Sequence, residues 1–275
     1  MTAEKRYFST TWDYNRFPHP HLAYRLLRRL VRLVFPRHQV QFELEADRDE
    51  PAVYVVNHGD AYGPVAMVTQ FPLPFRPRVE SRVCFSRTFP AFAMMDFWHL
   101  EKAGKIRRGF WWAVSYALVP LARVLFCGAE AIPAYFNEKV MITIRKSVET
   151  LCEGKNLVIF PERRTPYSEQ NEDFQAGFPF LARRYYQKTG KRVKFYPVFA
   201  GRDKRLIRVG APISFDPEAD FREHQEAVRL YLRGEMTHLA RGMGARPRHP
   251  QVEPPDVRPE EETLIARQRE EGLLT

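Results

Sequence analysis

The chain has 275 residues, 44% hydrophobic and 28% charged, which is enough to bury one sizeable α/β core and too mixed for global disorder. Its three cysteines, Cys84, Cys127 and Cys152, show no paired spacing, and residues 1–5 lead into no short apolar run of the secretory kind, so a reducing, cytoplasmic setting is expected. The net charge of +10 is unevenly placed: from Pro247 on, seven acids face four Lys/Arg, a balance of −3, so the first 246 residues carry +13 and expect an anionic partner.

The first strong pattern is HLAYRLLRRLVRLVF, residues 21–35. Leu22, Leu26, Leu30, Leu33 and Val34 recur at helical spacing, Arg25, Arg28, Arg29 and Arg32 fill the other side, and Pro36 closes the run. Such an amphipathic helix suits the headgroup region of an acidic membrane, although the same pattern also serves a helix packed on its own domain. VQFELEA, residues 40–46, alternates as an exposed strand does, and AVYVV, residues 52–56, reads as a buried one. A helix is expected over 88–99.

FWWAVSYALVPLARVLFC, residues 110–127, would be about 27 Å long as a helix, short of a ~30 Å hydrocarbon core, and it holds Pro120 and Arg123. A single span is therefore not expected. Trp111 and Trp112 suit a helix or kinked pair at a membrane interface, and a core helix is the competing reading. Further on, helices are expected over 138–153, 173–189 and 220–241, with buried strands at 156–160 and 193–200. Alternating strands and helices predict an α/β fold, a mixed and mostly parallel sheet flanked by helices, spanning residues 1–245. Residues 246–275 form a polar, proline-rich and acidic tail with a short helical candidate at 260–274.

Ligand sites of such sheets gather outside the carboxyl ends of strands. Residues 52–56 run into Asn57-His58, with Asp60 two positions on, and residues 156–160 run into Pro161-Glu162-Arg163-Arg164. A histidine can act as a general base near neutral pH, and an acid on its second ring nitrogen fixes the tautomer. Arginines can clamp a phosphate with two-pronged hydrogen bonds. Asp60 can reach His58 only in extended or loop geometry, because on a helix residues two apart diverge by roughly 200°. Gly63-Pro64 is expected to start a helix at Val65. A metal site of the His-x-Asp kind needs further clusters, whereas His99, His224 and His238 stand alone. No nucleic-acid-binding module is visible.

Four stretches then follow one another in a familiar order: NH after the strand, CGAEAIPAYF, LCEGKNLVIFPERRT, and FYPVFAG. In this order the chain resembles the 1-acylglycerol-3-phosphate acyltransferase family over about residues 40–215. The resemblance implies a glycerolipid-acyltransferase-like α/β fold at the inner face of the cell membrane, peripheral or monotopic. It also implies transfer of an acyl group from acyl-CoA or acyl-carrier protein to the hydroxyl of a lysophospholipid, with no metal or other cofactor. His58 would be the base; its partner, on the reading of the residues themselves, is Asp60, or else another carboxylate such as Glu162 or a backbone carbonyl. Glu162, Arg163, Arg164 and Thr165, with Gly63, would serve the substrate, and Arg25, Arg28, Arg29, Trp111 and Trp112 the membrane.

The departures fall on the chemistry. The family's first motif places an aspartate five residues after the histidine, where this chain has Gly63; its second motif ends in an arginine, where Ala134-Tyr135-Phe136 has none; and FPERRT stands for FPEGTR. The alternative these departures raise is a catalytically impaired member that binds lipid or partners an active enzyme.

Overall fold

The computed structural model describes residues 21–44, 49–58, 62–94, 104–135, 139–160, 178–216 and 220–243. In chain order the helices are α1 (His21–Val34), α2 (Tyr62–Gln70), α3 (Lys105–Ala117), α4 (Val119–Gly128), α5 (Val140–Cys152), α6 (Phe178–Thr189) and α7 (Phe221–Gly242), with one-turn helices at Ser81–Cys84 and Phe89–Phe92. The strands are β1 (Gln39–Phe42), β2 (Ala52–Val56), β3 (Phe75–Glu80), β4 (Ile132–Ala134), β5 (Asn156–Ile159), β6 (Lys194–Gly201), β7 (Leu206–Val209) and β8 (Ile213–Ser214). The chain divides into two compact units, Met1–Val31 with Pro77–Thr143, and Arg32–Arg76 with Ile144–Thr275.

The second unit holds the sheet that matters for chemistry. Its strands run in the order β1-β7-β6-β2-β5, and β8 pairs with the start of β6. β2 lies parallel to both β6 and β5, with Val56 opposite Val198 and Val55 opposite Ile159, while β6 turns back antiparallel into β7. All five residues of β2 are buried, as expected for a strand covered on both faces. On one face Tyr54 stacks on Tyr196 at 5.2 Å and meets Phe71 edge-on at 4.9 Å, and Met67 of α2 completes the cluster. Phe71 and Met67 each contribute about 1.5–3 kcal/mol when taken fully out of water. Helix α7 also packs on β6, where Pro197 and Leu239 close around Gly210. Asp220 caps α7 by accepting from the backbone N–H groups of Arg222 and Glu223, each at 3.0 Å.

In the first unit, β3 and β4 pair in parallel from Arg78–Ile132 to Glu80–Ala134. Thr143 ties the β4 end by donating to the Pro133 carbonyl at 2.9 Å and accepting from the Tyr135 N–H at 3.0 Å. The apolar stretch expected as a helix or kinked pair is two helices, α3 and α4, bent by 40°. Pro120 sits in the first turn of α4, where its missing N–H breaks no intrahelical bond. Among the described residues no single helix is long and apolar enough to cross a membrane, although α3 and α4 together meet that length and composition. Along α1, Leu22, Leu26, Leu30, Leu33 and Val34 are exposed, so its apolar stripe is turned outward.

Most expected elements recur with shifted ends, and several differ in kind. Of the helix expected over 88–99, Phe89–Phe92 form one α-helical turn, residues 93–94 continue as π-helix, and 95–99 lie outside the described residues. Helix α2 begins at Tyr62, three residues before the expected start, because Pro64 sits within a first turn whose N–H groups have no intrahelical acceptor. β3, β4, β7 and β8 were not anticipated. The tail, 246–275, lies outside the described residues.

Candidate active site

The carboxyl ends of β2, β5 and β6 all point the same way, because the three strands are parallel. His58 follows β2 by two residues and stands half-buried at this edge. Asn57 anchors it. The Asn57 N–H donates to the Val198 carbonyl at 3.3 Å, its side-chain Oδ1 accepts from the Ala200 N–H at 2.7 Å, and its Nδ2 donates to the Ala200 carbonyl at 3.3 Å. The side chain thus extends the β2–β6 ladder past the last strand residue and is itself buried. Such a two-way clasp orients the next residue, because releasing it leaves buried polar groups unpaired.

Phe160, the residue after β5, meets the His58 ring edge-to-face at 5.6 Å between centroids. Phe160 is the last described residue before Pro161-Glu162-Arg163-Arg164-Thr165. Glu162, Arg163, Arg164 and Thr165 themselves lie outside the described residues, as does Asp60.

Gly63 is described, and its setting is unusually tight. Its N–H donates to the His58 carbonyl at 3.1 Å, closing the loop between β2 and α2. A Cβ on residue 63 would stand 2.1 Å from the Asn57 carbonyl oxygen and 2.9 Å from that of His58. No side chain fits there. The position at which the resembling family carries its aspartate is, in this chain, a backbone contact.

Tyr62 opens α2 beside this loop, and its hydroxyl hydrogen-bonds His38 Nε2. His38 Nδ1 lies 2.7 Å from the Pro36 carbonyl, which can only accept, so Nδ1 carries the proton and Nε2 accepts from the Tyr62 O–H. Phe35 stacks on His38 at 5.4 Å and packs on Tyr62 at 5.2 Å. Burial pulls the His38 pKa below the ordinary histidine value, against the pull of the Pro36 bond, and the Arg205 charge lowers it further. Burial raises the Tyr62 hydroxyl, while Arg202 and Arg205 oppose the rise. The Arg202 guanidinium carbon lies 5.7 Å from the centre of the Tyr62 ring. None of these partners was singled out from the sequence, whose one hint was the cation-rich GRDKR directly after FYPVFA.

The residues expected at a membrane belong to the first unit, and the site just described belongs to the second. Arg25 and Arg29 are exposed, and Arg28, Trp111 and Trp112 are half-buried. On α3 the most exposed apolar side chains are instead Ile106, at 92%, and Phe110, at 63%. The same unit contains Arg78 on β3, only 9% exposed, whose burial lowers its pKa to about 10. Among the described residues, no group of three or more His, Cys, Asp or Glu is placed to hold a metal ion.

No family model matches the chain, and no curated protein does. Among solved structures it is similar to the crystal structure of the 1-acyl-sn-glycerophosphate (LPA) acyltransferase, PlsC, from Thermotoga maritima, with a TM-score of 0.45 and 12% identity over 86% of this chain and 87% of that one.

Proposed function

We propose that the protein is an O-acyltransferase that moves a fatty acyl group from acyl-CoA or acyl-carrier protein to the hydroxyl of a lysophospholipid such as 1-acylglycerol-3-phosphate. The observation that carries this reading is His58, clasped through Asn57 at the carboxyl edge of a parallel sheet, with the Phe160 end of the FPERRT stretch against its ring. In the proposed reaction the imidazole takes the proton of the acceptor hydroxyl as its oxygen attacks the thioester carbonyl. The C–O bond forms, the tetrahedral oxyanion collapses, and the C–S bond breaks. The thiolate then takes the proton back from the imidazolium. Asp60 is proposed as the group that steadies His58, and Glu162, Arg163, Arg164 and Thr165 as the holders of the acceptor.

The proposed setting is the cytoplasmic face of the cell membrane. It is supported by the outward leucines of α1, the exposed Ile106 and Phe110, and the arginines Arg25, Arg28, Arg29, Arg107 and Arg108 on the same two helices. A second reading, a lipid-binding protein without turnover, is favoured by one observation: residue 63 has no room for the aspartate of the resembling family.

The test is acyl transfer by purified protein to lysophosphatidate and other lysolipids, beside His58→Ala and Asp60→Asn. Transfer by wild type that is lost in His58→Ala is the expected result. No transfer to any lysolipid, with lysolipid binding retained, favours the binding reading instead. Equal transfer by wild type and His58→Ala refutes the base, and full activity in Asp60→Asn rejects only the partner.

A further inference from the structure

The turn joining β6 to β7 projects from the same sheet edge as His58. Continuing the β2–β6 register places His58 level with Ala200, and Arg202 follows two residues later, roughly 7 Å further along the strand direction. The turn contains Arg202, Asp203, Lys204 and Arg205, all exposed, three cations against one acid. Among the described residues no carboxylate forms an ion pair with Arg202 or Arg205, although Arg208, three residues further on in β7, is paired with Glu43 at 2.8 Å.

The two arginines are held rather than loose. Arg202 lies over the Tyr62 ring, and Tyr62 is itself clamped by His38 and Phe35. Arg205 closes the turn with its N–H on the Arg202 carbonyl at 3.3 Å, and its own carbonyl accepts from the Gln39 N–H at 3.1 Å. Its φ is +50°, a left-handed conformation that a glycine adopts at lower cost. An unpaired, aromatic-backed guanidinium, with a second arginine three residues on held at a left-handed backbone position, is an arrangement that stability alone does not account for.

We propose that Arg202 and Arg205 bind a phosphoryl group of the substrate at the mouth of the sheet, beside His58. The site rests on the acyltransferase reading for its place in catalysis, but not for its chemistry. The phosphate belongs either to the acceptor lipid or to the CoA of the donor, and the two are separable by experiment.

Binding is measured on the full chain by titration calorimetry, with three probes: lysophosphatidate in neutral detergent micelles, monoacylglycerol in the same micelles, and free CoA. The variants are Arg202→Gln, Arg205→Gln and Arg205→Gly, with His58→Ala as a control for turnover. Wild type is expected to prefer lysophosphatidate to monoacylglycerol or to bind CoA. Each glutamine variant weakens the phosphate-bearing probe about tenfold, the equivalent of one charge-assisted hydrogen-bonded contact. Loss confined to lysophosphatidate assigns the site to the acceptor, and loss confined to CoA assigns it to the donor. Arg205→Gly should lose binding yet melt no lower than wild type, which separates the charge from the fold. Unchanged binding of both phosphate probes, or an equal loss for monoacylglycerol, overturns the proposal. Absence of acyl transfer by wild type, with the phosphate preference intact, refutes the acyltransferase reading and leaves the site standing.

Discussion

Replacing Gly63 by alanine isolates the contact that separates this site from the family it resembles. The new Cβ would lie 2.1 Å from the Asn57 carbonyl oxygen, 1.3 Å inside ordinary contact at 3.4 Å, and the opposing atom is backbone. Either α2 or the Asn57–His58 segment must retreat by about that distance. Such a shift pulls apart the Gly63–His58 bond at 3.1 Å and loosens the Asn57–Ala200 clasp at 2.7 Å. Two buried hydrogen bonds at about 0.5–1.5 kcal/mol each, with an overpacking cost of about 1–3 kcal/mol, give a loss of about 2–6 kcal/mol. At about 2–4 °C per kcal/mol for a chain of this size, melting falls by roughly 5–20 °C. A displacement of His58 by about 1 Å would also cost on the order of 100-fold in any turnover. Gly63→Asp, which introduces the residue of the resembling family's motif, meets the same carbonyl and should be no better. Gly109→Ala on α3 is the contrast, because nothing lies within 4 Å of its Cβ and an exposed helical glycine gains about 0.5–1 kcal/mol on becoming alanine. Thermal unfolding followed by circular dichroism reads all three. Gly63→Ala melting within about 1 °C of wild type, or Gly63→Asp with raised transfer activity, would refute the close-contact argument.

Three other consequences can be checked. Arg78 is buried, its Nε–H meets no acceptor among the described residues, and its pKa is lowered to about 10, so a charge there costs about 3 kcal/mol. Arg78→Met should therefore raise the denaturation midpoint, and a lower midpoint would show that the guanidinium has a compensating role. The His38 pKa is lowered on folding, so the unfolded chain binds the proton more readily, and stability falls as pH drops below the ordinary histidine value of 6.5. His38→Phe should flatten the melting temperature between pH 7 and pH 5 relative to wild type; an unchanged slope would assign the acid sensitivity to other groups. Ile106 and Phe110 stand out from α3 beside Lys105, Arg107 and Arg108. If this face meets acidic lipid, Ile106→Ser with Phe110→Ser removes at least about 1.5 kcal/mol per side chain and lowers the partition constant onto phosphatidylglycerol vesicles, read by co-flotation, about a hundredfold. Equal flotation would exclude this helix from the contact.

Residue order alone determined a good part of the architecture, wherever one segment's own pattern was sufficient. The uninterrupted apolar runs of β2 and β5 read as buried parallel strands because both faces are covered, and α7 was bounded by the capping acid Asp220. The α1 stripe and the break between α3 and α4 at Pro120 were legible for the same local reason. β3, with the sequence FRPRVE, was missed because proline and three charges hide a strand whose pairing, not its composition, makes it one. At the site, the sequence pointed to His58 and to the stretch after Phe160, since each ends an apolar run. Tertiary structure alone decided how those ends meet: Asn57 binds the backbone of a residue 143 positions away, and Arg202 comes to rest on Tyr62. It also decided that residue 63 must be glycine, because the obstacle is the carbonyl oxygen of Asn57, six residues earlier in the chain. Parallel pairing joins segments distant along the chain, so its contacts leave no periodic trace in either segment.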